Sequence, residues 1–294
     1  MKSLVTGGCG FIGSHLVNRL IDLGHEVIVL DRVKHHSPNP KATYYLHDLS
    51  EKYTKYIHLF ESVDNVFHLA SEVSMPYCVE KPNESMANNI LATMNVLECS
   101  RVHNVDKFVF SSTSAVYGNR MFHPKYETNQ VQCLNTYSIS KYSGEQLCEM
   151  YYHLYGLQTV MFRYFNVYGE GCHKSGQYAP VMSIFKRQKD NKEPLTVVEP
   201  GYQTRDFVHV SDVVYANILA TQRDLEEYGQ VFNIGTGEGT EIQTIADLIS
   251  DYQITIPQRS GEVMHSTANI DKVKETLGWK WSVKVIEWVK KNLK

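Results

Sequence analysis

Leu4-Val5-Thr6-Gly7-Gly8-Cys9-Gly10-Phe11-Ile12-Gly13-Ser14-His15-Leu16 is the stretch on which the reading of the fold turns. Lys2 to Thr6 is predicted as a short buried strand and the glycines as a tight turn. Phe11 to Leu23 is predicted as a helix with Ile12, Leu16, Leu20 and Leu23 on one face. Without a Cβ, Gly7 can take a positive φ, Gly10 can let the backbone approach a phosphate, and Gly13 can seat the helix against the strand. An anion would then rest on the positive end of that helix. The stretch therefore has the form of a mould for a dinucleotide pyrophosphate.

The spacing from Gly7 is G-x-x-G-x-x-G, and a glycine triplet alone says little. What strengthens it is the following strand, Glu26-Val27-Ile28-Val29-Leu30, which ends at Asp31. That acid stands close to the roughly 20 residues expected between the loop and the carboxylate that binds the adenosine ribose hydroxyls. A carboxylate there repels a 2′-phosphate, which favours NAD over NADP; the adjacent Arg32 keeps the NADP reading open.

A chain of 294 residues with 43% apolar side chains can bury a large core as one large or two modest domains. Its formal net charge of −3, with no basic run, argues against a nucleic-acid partner. No apolar stretch approaches the roughly 18 residues of a membrane span, and Met1 runs straight into a strand with no leader pattern, so the expected location is the cytoplasm. The six cysteines form neither a C-x-x-C pair nor a cluster with histidine, so neither a zinc site nor a disulfide framework is expected.

Along the chain, Lys52 to Ser62 is predicted as a helix, Val63 to Ser71 as a strand, and Asn83 to Val102 as a helix from the apolar spacing of Met86, Ile90, Met94 and Leu97. Lys107 to Ser111 is a strand, Tyr137 to Gly156 a long helix, and Thr159 to Arg163 the next strand. This alternation predicts an α/β fold: a Rossmann-type, doubly wound parallel sheet with right-handed crossovers. Gly169 to Tyr178 is expected as a loop over the site, followed by a helix at Val181 to Asp190, a strand at Leu195 to Val198, a helix at Val208 to Arg223 and a returning strand at Val231 to Gly235. The expected division is a nucleotide-binding domain at 1–165, with a returning segment around 207–235, and a smaller, partly interleaved lobe at 166–294.

The second constellation is Tyr137-Ser138-Ile139-Ser140-Lys141, which puts a phenol and an ammonium four residues apart on one helical face. A tyrosine that ordinarily titrates near pH ~10 becomes a usable base when a cation beside it favours phenolate. Upstream, Ser111-Ser112-Thr113-Ser114 follows an apolar strand, where a hydroxyl can hold the oxygen whose proton Tyr137 takes.

With these motifs in place, the chain resembles the extended short-chain dehydrogenase/reductases, in particular the NAD-dependent sugar-nucleotide epimerase/dehydratase group, and within it the UDP-glucose (UDP-galactose) 4-epimerases. The likeness covers essentially the whole chain. It rests on Thr6 to Gly13, Asp48-Leu49, His68 to Ser71, Ser111 to Gly118, Tyr137 with Lys141, Arg163 to Gly169, Arg205 to Asp212, Asn233 to Gly237 and Arg259 to Glu262. The resemblance implies bound NAD, held by Gly7, Gly10, Phe11, Ile12, Asp31, Arg32 and Ser111. It further implies that Asp48 and Leu49 flank the adenine and that Leu69, Ala70 and Ser71 line the pyrophosphate and nicotinamide ribose. Lys141 would hold that ribose and Phe165 would pack near the nicotinamide. For a UDP-sugar substrate it implies contacts from Ser74, Met75, Thr113 and Tyr137. Asn166, Arg205 and Arg259 would lie on the diphosphate and Glu262 on the nucleoside ribose. Thr113, Tyr137 and Lys141 fall at the catalytic positions.

The family's dehydratases place an acid pair after that hydroxyl, and its nucleotide-glucuronate decarboxylases usually a glutamate. Here Ser114 and Ala115 stand there, which favours 4-epimerisation of a UDP-hexose through a transient 4-keto sugar. Ser266, four residues beyond Glu262, would leave room for a 2-acetamido group. Glu199-Pro200-Gly201 and Val73 depart from common family residues. The alternatives are a UDP-glucuronate epimerase or decarboxylase, another nucleotide-sugar oxidoreductase, and a non-catalytic NAD sensor. Thr113, Tyr137 and Lys141 together argue against the sensor. No metal is required, and the likeness suggests a homodimer through the helices near Asn88 to His103 and Tyr137 to Tyr155.

Overall fold

The computed structural model describes residues 1–172, 180–258 and 263–293. Strand β1 (Lys2–Thr6) turns into helix α1 (Phe11–Asp22), followed by β2 (Glu26–Asp31), β3 (Thr43–Leu46) and β4 (Asn65–His68). Short helices α2 (Met75–Glu80) and α3 (Pro82–Met86) run through a π-helical turn at Ala87–Leu91 into α4 (Ala92–Val102). Then come β5 (Lys107–Thr113), α5 (Thr136–Tyr155), β6 (Gln158–Tyr164), β7 (Asn166–Tyr168), α6 (Val181–Asp190), β8 (Leu195–Val198), β9 (Thr204–His209) and α7 (Val210–Gln222). The chain closes with β10 (Gln230–Ile234), β11 (Gly239–Glu241), α8 (Ile242–Ile249), β12 (Gln253–Ile256), β13 (His265–Ser266), α9 (Asp271–Leu277) and α10 (Val285–Asn292).

Two compact units divide the chain. The first contains Met1–Val116, Cys133–Arg163 and Val214–Phe232. Its large sheet has the order β10-β6-β5-β4-β1-β2-β3, with β1–β2, β1–β4, β2–β3 and β4–β5 paired in parallel. Strands β1, β2, β4 and β5 are almost continuously buried, as unbroken apolar runs in a sheet covered on both faces should be. Only β3, at the edge, carries mostly exposed residues. Helix α5 starts on an Asn135–Ser138 capping box and stops at Gly156 with φ 73°.

The second unit contains Tyr117–Gln132, Tyr164–Val213 and Asn233–Lys294. Strand β9 is its spine, antiparallel to β11 and parallel to β13 and β7. A separate parallel pair joins β8 and β12. Its core gathers Tyr168, Phe185, Leu195, Ile245 and Val289. Asp212, in the first turn of α7, accepts from the N–H of Ser282 (3.1 Å), its hydroxyl (2.8 Å) and the N–H of Val283 (3.2 Å), while its carbonyl accepts from the indole of buried Trp279 (2.9 Å).

Several expectations need correction. No helix spans Lys52 to Ser62; two short turns, Tyr53–Lys55 and Ile57–Phe60, stand there. The segment is rich in aromatic and β-branched residues, which are poor helix formers, and full burial of Tyr56 and Phe60 outweighs helix continuity. In α1 the buried face is Gly13, Leu16, Val17 and Leu20, and Leu23 lies past the helix end, 38% exposed. A π-helical turn interrupts the helix at Ala87–Leu91, where Asn89 is buried; beyond it Leu97 is buried and Met94 is 42% exposed. Val208 and His209 end strand β9 instead of opening a helix. Residues 117–132 belong to the second unit, where Lys125 N–H bonds the Thr267 carbonyl (2.8 Å) and the Tyr117 hydroxyl bonds Asn233 (2.7 Å). Among the described residues no helix is long and apolar enough to cross a membrane.

Candidate active site

In the first unit, the carboxyl ends of β1, β2, β4 and β5 share one edge of the sheet because these strands run parallel. Gly7, at the end of β1, has φ +68°, and a Cβ there would lie 2.6 Å from the N of Ala70. A Cβ on Gly13 would run into the Gly7 carbonyl. The turn therefore closes directly on Leu69 and Ala70, whose N–H groups bond the carbonyl (3.1 Å) and hydroxyl (3.2 Å) of Thr6. No side chain caps α1 and no acidic residue stands in its first turn, which carries Phe11 and Ile12. Its amino end thus offers backbone donors to an anion.

Asp31 ends β2, 8% exposed, and its carboxylate accepts from the N–H of Cys9 (2.9 Å) and of Val33 (3.1 Å). Burial, then Asp31, pushes the Cys9 thiol up to about 12, so it stays protonated. Arg32 pairs with Glu72 at 2.7 Å. Asp48 accepts from the N–H (2.8 Å) and hydroxyl (2.6 Å) of Ser50, and the carbonyl of buried Leu49 accepts from Tyr56 and Asn95. A bare glycine cradle and an uncapped helix end, which donate, with a carboxylate at the end of β2, which accepts from ribose hydroxyls, fit a dinucleotide.

On the β5 and α5 side, Thr113 ends β5 and its hydroxyl accepts from the Ala115 N–H (3.2 Å), while Tyr137 stands in the first turn of α5. Ser111, also in β5, is 9% exposed. Lys141 is 3% exposed with its ammonium 4.8 Å from the centre of the Phe110 ring. The charge relation differs from the one expected. Burial pushes Tyr137 up to about 12, opposed by Thr113, and burial pushes Lys141 down to about 7. In the ligand-free chain desolvation penalises both charged forms and outweighs any mutual attraction.

Three buried residues bind this machinery together without having been assigned a role from sequence. Asn89, in the π-helical turn, accepts from the Ser71 hydroxyl (3.0 Å) and the Glu72 N–H (2.7 Å), and donates to the Ser140 hydroxyl (2.8 Å). Ser140 in turn donates to the Tyr137 carbonyl (2.8 Å). Glu145, one turn beyond Lys141, accepts from both Nε (2.9 Å) and Nη2 (2.7 Å) of Arg163 and from the Ser112 hydroxyl. Its four-residue spacing from Lys141 was the signal available in the sequence. His68 lies between Thr6 (2.7 Å to Nδ1) and Thr93 (2.9 Å to Nε2). Because Thr93 donates its own proton to the Asn89 carbonyl (2.6 Å), Nε2 of His68 must be the donor and Nδ1 the acceptor. Burial, with Lys141 second, pushes this histidine down to about 3, so it is neutral.

The lysine makes a prediction about pH. Its folded value of about 7 lies below the ordinary 10.5, so between those two values the unfolded chain holds the extra proton and stability rises with pH. In urea titrations of ligand-free protein the slope is expected to be roughly 1.4 kcal/mol per pH unit through that window. Lys141→Met should flatten it; equal slopes in both proteins would refute the assignment.

Ser74 caps α2 through the Tyr77 N–H (3.4 Å), and Met75 is the first residue of that helix. Val73 is 56% exposed. In the second unit, Asn166 and Arg205 lie on the paired strands β7 and β9, and the Asn166 amide donates to the Asp206 carbonyl (3.2 Å). Arg205 donates to the Thr204 carbonyl (3.0 Å) and stands in register with Ser266. Fully buried Asp206 accepts from Thr236 N–H (2.6 Å) and hydroxyl (2.7 Å), Gly237 N–H (3.0 Å) and Ala268 N–H (3.0 Å). It thereby ties the arginine strand to the Asn233–Gly237 turn. Phe165 is buried against Tyr117, ring centres 6.4 Å apart. Arg259 and Glu262 lie outside the described residues, as does most of the expected loop at 169–178. Among the described residues no group of three or more His, Cys, Asp or Glu is placed to hold a metal ion.

Comparison with known proteins gives consistent matches. The profile of the NAD dependent epimerase/dehydratase family matches residues 3–235. A putative UDP-glucose 4-epimerase of Methanocaldococcus jannaschii is 37% identical over 307 residues, covering 98% of both chains. The crystal structure of a UDP-glucose 4-epimerase from Thermotoga maritima with UDP-glucose superposes with a TM-score of 0.92 at 37% identity, over 99% of this chain and 96% of that one. A UDP-N-acetylglucosamine 4-epimerase from Methanobrevibacter ruminantium, in complex with UDP-N-acetylmuramic acid, gives a TM-score of 0.92 at 31% identity over the same shares.

Proposed function

Since the chain belongs to the NAD dependent epimerase/dehydratase family, we propose that it interconverts the C4 epimers of a UDP-hexose through a transient 4-keto sugar. The observation that carries this reading is Tyr137 and buried Lys141 one turn apart on α5, with Thr113 at the end of β5 and no acid at Ser114 or Ala115. Bound NAD supplies the hydride acceptor, and the hydride returns to the sugar within the same cycle. The residues of this chain do the remainder. Tyr137 removes the proton from the sugar 4-hydroxyl and later restores it, while Thr113 holds that oxygen. Lys141 orients the nicotinamide ribose, and the turn from Gly7 to Gly13 with Asp31 seats the rest of the dinucleotide.

Asn166 and Arg205, with Arg259 assigned from its motif, hold the substrate diphosphate, for which forked donors are suited. Ser74 and Met75 contact the sugar nucleotide, Phe165 packs near the nicotinamide, and Glu262 accepts from the nucleoside ribose. Retention of the diphosphate lets the keto sugar turn its other face before the hydride returns. Ser266 beside Arg205 leaves space for a 2-acetamido group, so UDP-N-acetylhexosamines belong with UDP-glucose and UDP-galactose among the substrates to be tried. Purified protein given UDP-galactose is expected to form UDP-glucose with no net release of NADH. Steady NADH production would mark a dehydrogenase, and carbon dioxide from UDP-glucuronate a decarboxylase.

The active form is a homodimer, supported by the outward surfaces of α4 and α5. Met94, Val102, Met150, Leu154 and Tyr155 are all exposed there, with Leu154 at 66%. Apolar side chains grouped on two neighbouring helices suit a second copy of the chain. Light scattering is expected to give twice the 33.7 kDa chain mass, and Leu154→Glu with Met94→Glu to halve it; a wild-type monomer at micromolar concentration would remove the claim. Free thiols at Cys9, Cys78, Cys99, Cys133 and Cys148 accord with the reducing cytoplasm as its compartment.

A further inference from the structure

Arg32 directly follows Asp31 at the end of β2, a place where an arginine ordinarily accommodates the 2′-phosphate of NADP. In this chain its Nη2 lies 2.7 Å from Oε2 of Glu72. Three hydrogen bonds fix that partner. The Ser74 N–H donates to its Oε1 (2.9 Å), its own N–H donates to Asn89 Oδ1 (2.7 Å), and its carbonyl accepts from Asn89 Nδ2 (3.1 Å). The Glu72 side chain is 12% exposed and that of Arg32 46%, so the carboxylate is the anchored member of the pair.

Strand β1 lies between β2 and β4 in the sheet. A contact between Arg32, which follows β2, and Glu72, which follows β4, therefore reaches across the strand end from which the glycine turn rises. A 2′-phosphate seeking Arg32 would have to displace a carboxylate already ordered by its own backbone bonds, and would meet the negative charges of Asp31 and Glu72 together.

We propose that Glu72 is a determinant of cofactor choice: by committing Arg32 to an internal carboxylate, it makes the chain take NAD in preference to NADP. The proposal rests on the reading of Gly7 to Gly13 as a dinucleotide site. An exposed ion pair alone shifts an equilibrium by no more than about fivefold, and removing the charge of Glu72 adds to that, so an effect on the order of tenfold follows.

The test is calorimetric titration of ligand-free protein with NAD and with NADP. Wild-type protein is expected to bind NAD more tightly. Glu72→Gln, which keeps the shape and the acceptor for Ser74, should lower the ratio of the NADP to the NAD dissociation constant about tenfold. The gain should fall to about twofold in Glu72→Gln/Arg32→Ala, the share owed to the lost charge alone. An unchanged ratio in the single variant, or a gain that survives undiminished in the double variant, would overturn the proposal while leaving the dinucleotide site intact. Arg32→Ala alone tests it from the other side, whatever the folding of the glutamine variant. NADP affinity should stay within about twofold, and a tenfold loss would show that Arg32 already serves the phosphate. Failure of wild-type protein to bind either dinucleotide would remove both the site and the proposal.

Discussion

Tyr137→Phe should lower turnover by roughly 10²–10⁴-fold, the usual contribution of a positioned acid–base group, with NAD affinity nearly unchanged. The substitution removes one oxygen from a side chain that donates no packing beyond its ring, and it leaves Lys141 and the Gly7–Gly13 turn in place. The phenol is held at about 12 by burial in the ligand-free protein and lowered only by the Thr113 hydroxyl. Tyr137 is therefore protonated before ligands bind, and it must release that proton once cofactor and substrate are in place before it can take the one from the sugar 4-hydroxyl. The measurement is kcat for UDP-galactose conversion beside calorimetric binding of NAD. A variant that keeps a tenth or more of wild-type turnover would show that another group moves the proton.

The second large effect concerns stability. Arg163 and Glu145 are 3% exposed each and joined by two hydrogen bonds. Removing one partner of such a pair leaves an uncompensated buried charge, at a cost of about 3–5 kcal/mol. Arg163→Met should destabilise the protein by that amount in urea unfolding. Glu145→Leu/Arg163→Met should recover most of it, because apolar side chains of similar volume often replace a buried pair at little net cost. A double variant no more stable than Arg163→Met would show that the Ser112–Glu145 bond carries the larger share. Since Ser112 precedes Thr113 and Glu145 lies one turn beyond Lys141, the double variant also reports whether the pair positions the catalytic groups. A fall in kcat at unchanged KM in a well-folded double variant would say that it does.

Legibility differed between residue classes. Strand positions were readable because a doubly covered parallel sheet demands unbroken apolar runs, and β1, β2, β4 and β5 supply them. The segment at 52–62 misled because its apolar residues serve burial of Tyr56 and Phe60 instead of a helical face. On α4 Leu97 is buried but Met94 is 42% exposed after the π-helical turn at Ala87–Leu91, a backbone event that periodicity does not register. The elements after 235 were not assigned, because short strands such as β11 and β13 acquire their identity only by pairing with β9.

What the sequence alone determined is whatever backbone geometry ties to spacing along the chain. The glycine turn into α1, the acid closing β2, and the phenol four residues before an ammonium on α5 all belong to that class, since helix rise and Cβ sterics act between near neighbours. Tertiary structure decided which charges are buried and which have partners. Glu145 finds Arg163 across 18 residues, Asn89 finds Ser140 across 51, and Arg32 finds Glu72 across 40. Desolvation and hydrogen bonding depend on everything packed around a group. The lowered lysine, the raised phenol and the captured arginine therefore exist only once the chain has folded.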